Sequence, residues 1–195
     1  IIFVFLLLSM FCLPVSVQAE NDNHADTGIV ENKRVLFLSS YSYTWSTVPQ
    51  QIEGIQSKLD SSVTLDIEFM DTKKIKLEMA EQIMLKKIHF KQKNAGKYDA
   101  VIVGDDAALV FAMQYRKTLF KDVPIVFEGI NNIKYAKKVS KDPLVTGVIE
   151  QFSYKENLDF AKKIQPDAKK VVAIVDNTFT GVGEQQQFYG QKNNY

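Results

Sequence analysis

Hydroxyl, carboxylate, amide and aromatic side chains recur in this sequence directly after short apolar runs. RVLFL is followed by Ser39-Ser40-Tyr41-Ser42-Tyr43-Thr44-Trp45, VTLDIEF by Asp71-Thr72 two residues on, and AVIV by Gly104-Asp105-Asp106. VPIVF is followed by Glu128-Gly129-Ile130-Asn131-Asn132, and VVAIV by Asp176-Asn177-Thr178-Phe179-Thr180-Gly181. The set suits a small polar or zwitterionic molecule with an apolar part. A carboxylate would take Ser39 or Ser40 together with backbone N–H groups at a helix start. An ammonium would take Asp105 or Glu128. Tyr41, Tyr43 and Trp45 could cover an apolar or cationic face. Asn131, Asn177, Thr178 and Thr180 complete the candidates. Plainer roles compete: Asp105 and Asn131 stand where helix N-caps belong, as do Ser46 and Thr47. Gly129 and Gly181 could serve backbone turns alone, and Trp45 could simply pack.

Catalytic patterns are sparse. The sequence has two histidines, His24 in a polar stretch and His89 late in a predicted helix, and neither can readily serve a nucleophile such as Ser39. There is no G-x-S-x-G elbow and no P-loop. Gly181-Val182-Gly183 could open a dinucleotide fingerprint, but Gln186 holds the third glycine position, and the loop after the first strand has no glycine. A phosphoacceptor domain could use Asp105, but it needs acids after its first strand, where this sequence has serines. The enzyme reading that survives is an exported hydrolase using Asp105, Asp106 and Glu128 as an acid/base or metal-binding carboxylate group. No cofactor is expected.

These loops must be placed by the apolar runs themselves. RVLFL (34–38), VTLDIEF (63–69), AVIV (100–103), VPIVF (123–127) and LVTGVIE (144–150) read as strands, and VVAIV (171–175) as a sixth. VTLDIEF alternates apolar and polar residues, which places it near a sheet edge. Between the strands lie helical patterns: one with Val48, Ile52, Ile55 and Leu59 on one face, one over about 76–95 ending at Gly96, the very apolar DAALVFAMQYRKTLF, and a short one near Ile133 to Val139. Ser153-Tyr154-Lys155-Glu156 reads as a capping box opening a helix that stops before Pro166. Repeated βα units specify an α/β fold, a doubly wound parallel sheet with right-handed crossovers. In such a sheet the loops leaving the carboxyl ends of the strands share one rim.

The bulk numbers fit this. The chain has 195 residues, 46% hydrophobic and 24% charged, with a formal net charge of +1, so no global field draws in nucleic acid. Residues 1–19 are apolar and uncharged and end Val17-Gln18-Ala19, the small-x-small pattern of a cleaved export signal. The apolar part is shorter than the roughly 20 residues of a spanning helix. The one cysteine, Cys12, would leave with it. Because the sequence opens on Ile1 with no basic n-region, we expect its start to lie upstream. Residues 20–32 read as a linker, 33–150 as a first α/β lobe and 151–195 as the beginning of a second.

The blocks VLFLSSYSYTWSTVPQQIEGI, EFMDTKK, YDAVIVGDDAALVFA, PIVFEGINN, TGVIE and VVAIVDNTFTGVGE, spanning Lys33 to Glu184, resemble the substrate-binding domains related to the ABC-transporter aromatic amino acid binding type. The strongest likeness is to versions that precede histidine kinases or diguanylate cyclases as sensor modules. The resemblance implies an extracytoplasmic location, a type I periplasmic-binding-protein architecture, two hinged lobes closing on a small-molecule ligand, and as partner an ABC permease or a fused signalling domain. It implies Ser39, Tyr41, Trp45, Asp105 and Glu128 as first-lobe contacts and Asn177, Thr178 and Thr180 as second-lobe contacts. On this reading the sequence stops at Tyr195 inside the first unit of the second lobe, membrane attachment comes only from the export signal or a later anchor, and no nucleic acid is bound.

Overall fold

A computed structural model describes residues 32–194. The expected export signal and nearly all of the expected linker lie outside these residues. Five strands form one all-parallel sheet: β1 (Lys33–Ser39), β2 (Val63–Phe69), β3 (Ala100–Gly104), β4 (Ile125–Ile130) and β5 (Val145–Ile149), in the order β2-β1-β3-β4-β5. The alternating strand VTLDIEF is indeed an edge, as its half-wet pattern requires.

The helices cover both faces. α1 (Val48–Gln56) packs Val48 and Ile52 on the face that carries Phe37, Leu65, Ile67 and Ile102. The opposite face, with Leu36, Leu38, Val101, Val103, Ile125 and Phe127, receives Ala80, Met84 and Ile88 of α2 (Leu77–Ala95) and Ala108, Leu109, Phe111 and Ala112 of α3 (Asp105–Gln114). The predicted single helix DAALVFAMQYRKTLF divides at Tyr115 into α3 and a one-turn α4 (Arg116–Leu119). α5 (Ile133–Val139) completes this layer. The apolar circumference of α3 follows from its place in the centre of that layer.

Charged side chains hold the edge strand. Glu68 of β2 is buried and meets Lys87 and, at 2.6 Å, Lys91, both from α2. Asp66 joins Arg34 at 2.8 Å and the Tyr98 hydroxyl at 2.7 Å. A buried carboxylate is tolerated because it is matched in this way.

Beyond Glu150 the pattern departs from expectation. α6 (Tyr154–Ile164) begins after Ser153, but the Ser153 side chain makes no cap bond, so the predicted capping box does not form. α6 buries none of its residues, and Phe160 and Ile164 face outward. VVAIV was expected as a sixth strand; it is not one among the described residues, and Val172 and Ile174 are 82% and 89% exposed. An apolar run becomes a strand only where a neighbouring strand accepts its backbone bonds, and the five-stranded sheet ends at β5. α7 (Phe179–Tyr189) follows and packs against α3. No helix among the described residues is long and apolar enough to cross a membrane.

Candidate functional site

Sheet register gathers the strand tips. Ser39 of β1 pairs with Gly104 of β3, and Gly104 with Glu128 of β4, so three of the predicted loops leave from one row. α7 then crosses this rim. The Tyr41 hydroxyl meets Thr180 Oγ1 at 2.7 Å, and the Gln187 amide donates to the carbonyls of Asn131 at 2.9 Å and Glu150 at 3.3 Å. Gly183 lies close enough to Asn131 and Asn132 that a Cβ there would come within 3.2 Å of the Asn131 Cβ and 3.3 Å of the Asn131–Asn132 backbone. Gly181 likewise has no room for a side chain beside Asp176. A turn alone was one possible role for Gly181. Both glycines are helical, and their function is close approach of α7 to the rim.

The serines face inward. Ser40 Oγ donates to the Gly104 carbonyl at 2.8 Å and accepts from the Ala108 N–H at 2.9 Å, tying β1 to the first turn of α3. Ser39 Oγ accepts from the Tyr41 N–H at 3.2 Å. Both residues are fully buried. Thr178 is the N-cap of α7, accepting from the Gly181 N–H at 3.2 Å, and also meets Lys73 Nζ at 3.3 Å. Asn177 is exposed in the turn before it.

The aromatic residues form a stack with a cation. The Tyr41 and Trp45 rings are 5.0 Å apart, and Lys73 Nζ lies 5.4 Å from the first and 5.3 Å from the second. Lys73 also pairs with Asp176 at 2.9 Å. Trp45 is partly exposed, whereas Tyr41 is buried.

The carboxylates are the unusual part. The plainer role that competed for Asp105, an N-cap, does not hold: the α3 cap position is Gly104, and Asp105 itself sits at φ +68° in the left-handed region that costs a non-glycine residue roughly 1 kcal/mol. It is 6% exposed, and its Oδ2 has no hydrogen-bond partner. Burial, then the charges of Glu150, Asp106 and Glu128, push its pKa up to about 8, with Gln51 opposing. Gly129, at φ +66°, allows β4 to pass beside it. Asn131 is not a cap either: Asn132 caps α5 by accepting from the Tyr135 N–H at 3.0 Å. Asn131 is 2% exposed with Oδ1 unpartnered, and Glu128 Oε1 is also buried without a partner.

Asp106, by contrast, is satisfied, accepting the N–H groups of Asn131 at 3.2 Å and Asn132 at 3.0 Å. Burial still raises it, as it raises Glu128, Glu150 and Glu184. Sequence reasoning missed Glu150, Glu184, Gln187, Lys73 and Gln51. Glu150 directly follows the last residue of β5, so the strand-tip rule already pointed to it. Thr180, Glu184 and Gln187 share one face of α7 at spacings of four and three, the signature of a helix face turned toward a partner.

Among the described residues no three His, Cys, Asp or Glu side chains are grouped as ligands of one metal ion. An open hollow of about 250 Å³ lies between residues 171–175 and Gln185, Phe188 and Tyr189 of α7, and shares no lining residue with the carboxylate group. No family model, curated protein or solved structure matches this chain.

Proposed function

We propose that the chain is an extracytoplasmic small-molecule-binding module of the type I periplasmic-binding kind. The strand-tip rim forms one wall of its cleft, and the segment from Gln151 onward begins the other. It serves as the sensor module of a signalling receptor or as the substrate-binding subunit of an ABC transporter. The observation that carries this reading is Asp105: a carboxylate held in a strained backbone conformation, more than nine-tenths buried at the rim beneath α7, with an oxygen that no protein group satisfies. Buried polar groups are ordinarily paired, and unpaired, strained ones concentrate at functional sites. Two further features support it. α7 reaches across the rim as a second wall would, and the uncovered apolar side chains of α6 and 171–175 suit a second lobe built around them.

Thermal-shift and calorimetric titration of the full chain against amines, amino acids, carboxylates and sugars tests the reading. Saturable stabilisation by one class, lost in Asp105→Asn, supports it. Silence toward every class rejects it, and turnover of an ester or phosphate that Asp105→Asn abolishes would transfer the site to the hydrolase reading.

A further inference from the structure

Among the described residues, the buried side-chain atoms at the rim that lack partners are all oxygens. They are Gln51 Oε1, Asp71 Oδ1, Asp105 Oδ2, Glu128 Oε1 and Asn131 Oδ1, and each of them is an acceptor. Two of these side chains, Asp105 and Asn131, are more than nine-tenths buried. The groups that would greet an anion are committed within the fold. Ser40 both donates and accepts, Tyr41 and Thr180 hold each other, and Lys73 is paired with Asp176. A ligand carboxylate would also meet the field of Asp105, Asp106, Glu128 and Glu150, and like charges brought together out of water are costly. The zwitterionic ligand expected from the sequence therefore fits one end of this site and not the other.

Taking the rim as a ligand site, as argued above, we propose that it accepts an organic amine that carries no carboxylate, a diamine or guanidino-amine. Its N–H groups supply the donors that Asp105 Oδ2, Glu128 Oε1 and Asn131 Oδ1 lack. Ammonium and guanidinium groups have donors and no acceptors, so they complement a cluster of unpaired oxygens without leaving a new group unsatisfied. A second positive charge answers the remaining carboxylates, among them Glu150 after β5 and Glu184 of α7, whose charge helps hold Glu150 toward its protonated form. Because burial holds these acids toward their protonated forms in the empty site, the cation binds the ionised forms, and the displaced protons pass to the buffer.

Calorimetry of the full chain with putrescine, agmatine and ornithine tests this, since ornithine is putrescine with one added carboxylate. Putrescine or agmatine should bind saturably, and ornithine at least about tenfold more weakly. Asp105→Asn and Glu128→Gln should each weaken the amine by about tenfold. Near neutral pH the heat should change with the ionisation enthalpy of the buffer, reporting proton release. If ornithine or a neutral compound binds while putrescine and agmatine do not, the amine assignment fails and the rim remains a ligand site. If nothing binds, both fail. Amine binding unchanged in both variants would place it elsewhere and also overturn the assignment. Should Asp105→Asn not fold, Glu128→Gln reads the same outcome.

Discussion

The hydroxyls of Tyr41 and Thr180, from the loop after β1 and the first turn of α7, meet at 2.7 Å in a buried pair. It joins residues 139 positions apart, and therefore measures whether α7 is seated on the rim. Burial and the nearby Asp105 raise the Tyr41 pKa well above the ordinary tyrosine range, so the phenol stays a neutral partner. Tyr41→Phe should cost about 1–2 kcal/mol, because it leaves the Thr180 hydroxyl buried and alone. Hydrogen exchange should quicken in α7 and stay unchanged in β1 and β3. Equal quickening in the sheet would show that the pair supports the core rather than the seating of α7.

Ser40 has the same residue type as the half-buried Ser42 but a different role. Replacing it with alanine strands the Ala108 N–H and the Gly104 carbonyl in a fully buried place, and should lower stability by about 2 kcal/mol. Ser42→Ala, whose hydroxyl bonds only to Thr44 on the exposed loop, should change stability by less than about 0.5 kcal/mol. Chemical denaturation of the two variants side by side distinguishes a serine that ties strands together from one that faces solvent.

The gathering of Ser39, Asp105, Glu128 and Asn131 on one rim was legible in the sequence, because in an open parallel sheet the strand tips share an edge whatever the side chains are. Pairing states were not. Nothing in the order Gly104-Asp105-Asp106 says which acid accepts backbone N–H groups and which keeps a buried oxygen without a partner; the answer depends on where Asn131 and Asn132 arrive from β4. Gly181 could be read as a turn residue, since local propensity does not know that Asp176 crowds it in the helix. VVAIV suggested a strand for the complementary reason: an apolar run records burial pressure without naming the neighbour that would satisfy it.

Asp105 makes a prediction about pH. Its folded-state value of about 8 lies above the ordinary 3.8. Its contribution to stability is therefore complete below about 3.8, declines as pH rises, and is lost as pH passes about 8. The groups facing it act in the same direction: Asp106 from α3, Glu128 from β4 and Glu150 after β5 are all raised as well, and Gln51 from α1 opposes through a side-chain hydrogen bond. Asp60, Asp66, Asp99, Asp142 and Asp176 are shifted downward and remove stability at acid pH. The ligand-free chain should thus be most stable in mildly acid solution, with a thermal midpoint that falls between about pH 5 and pH 8. Asp105→Asn should flatten that fall and raise the midpoint at the alkaline end. A midpoint that climbs toward pH 8 in the unsubstituted chain would mean that Asp105 is ionised and matched by a group of the protein.

Lys73 links the aromatic loop to the turn before α7, and Trp45 is the only tryptophan in the chain, so its emission reports on that link. Lys73→Ala should shift Trp45 fluorescence while lowering stability by less than about 1 kcal/mol, as expected for a partly exposed ion pair. Unchanged emission would show that the cation does not rest on the ring in solution.

The glycines of α7 and α1 form a matched test of close approach. A methyl group at Gly183 would press to 3.2–3.3 Å against the Cβ and backbone of Asn131 and the N–H of Asn132, atoms held in place by Asp106, whereas at Gly54 in α1 it would meet nothing within 4 Å. Helix propensity alone favours alanine at both positions by roughly 0.5–1 kcal/mol. Gly54→Ala should therefore stabilise the chain slightly. Gly183→Ala should lose that gain to overpacking that costs about 1–3 kcal/mol, and should loosen the Tyr41–Thr180 pair, seen as faster exchange in α7. Because the substitution is the same and only the neighbour differs, opposite signs would locate the effect at the α7–rim contact. Stabilisation in both would mean that α7 does not lie against Asn131 in solution.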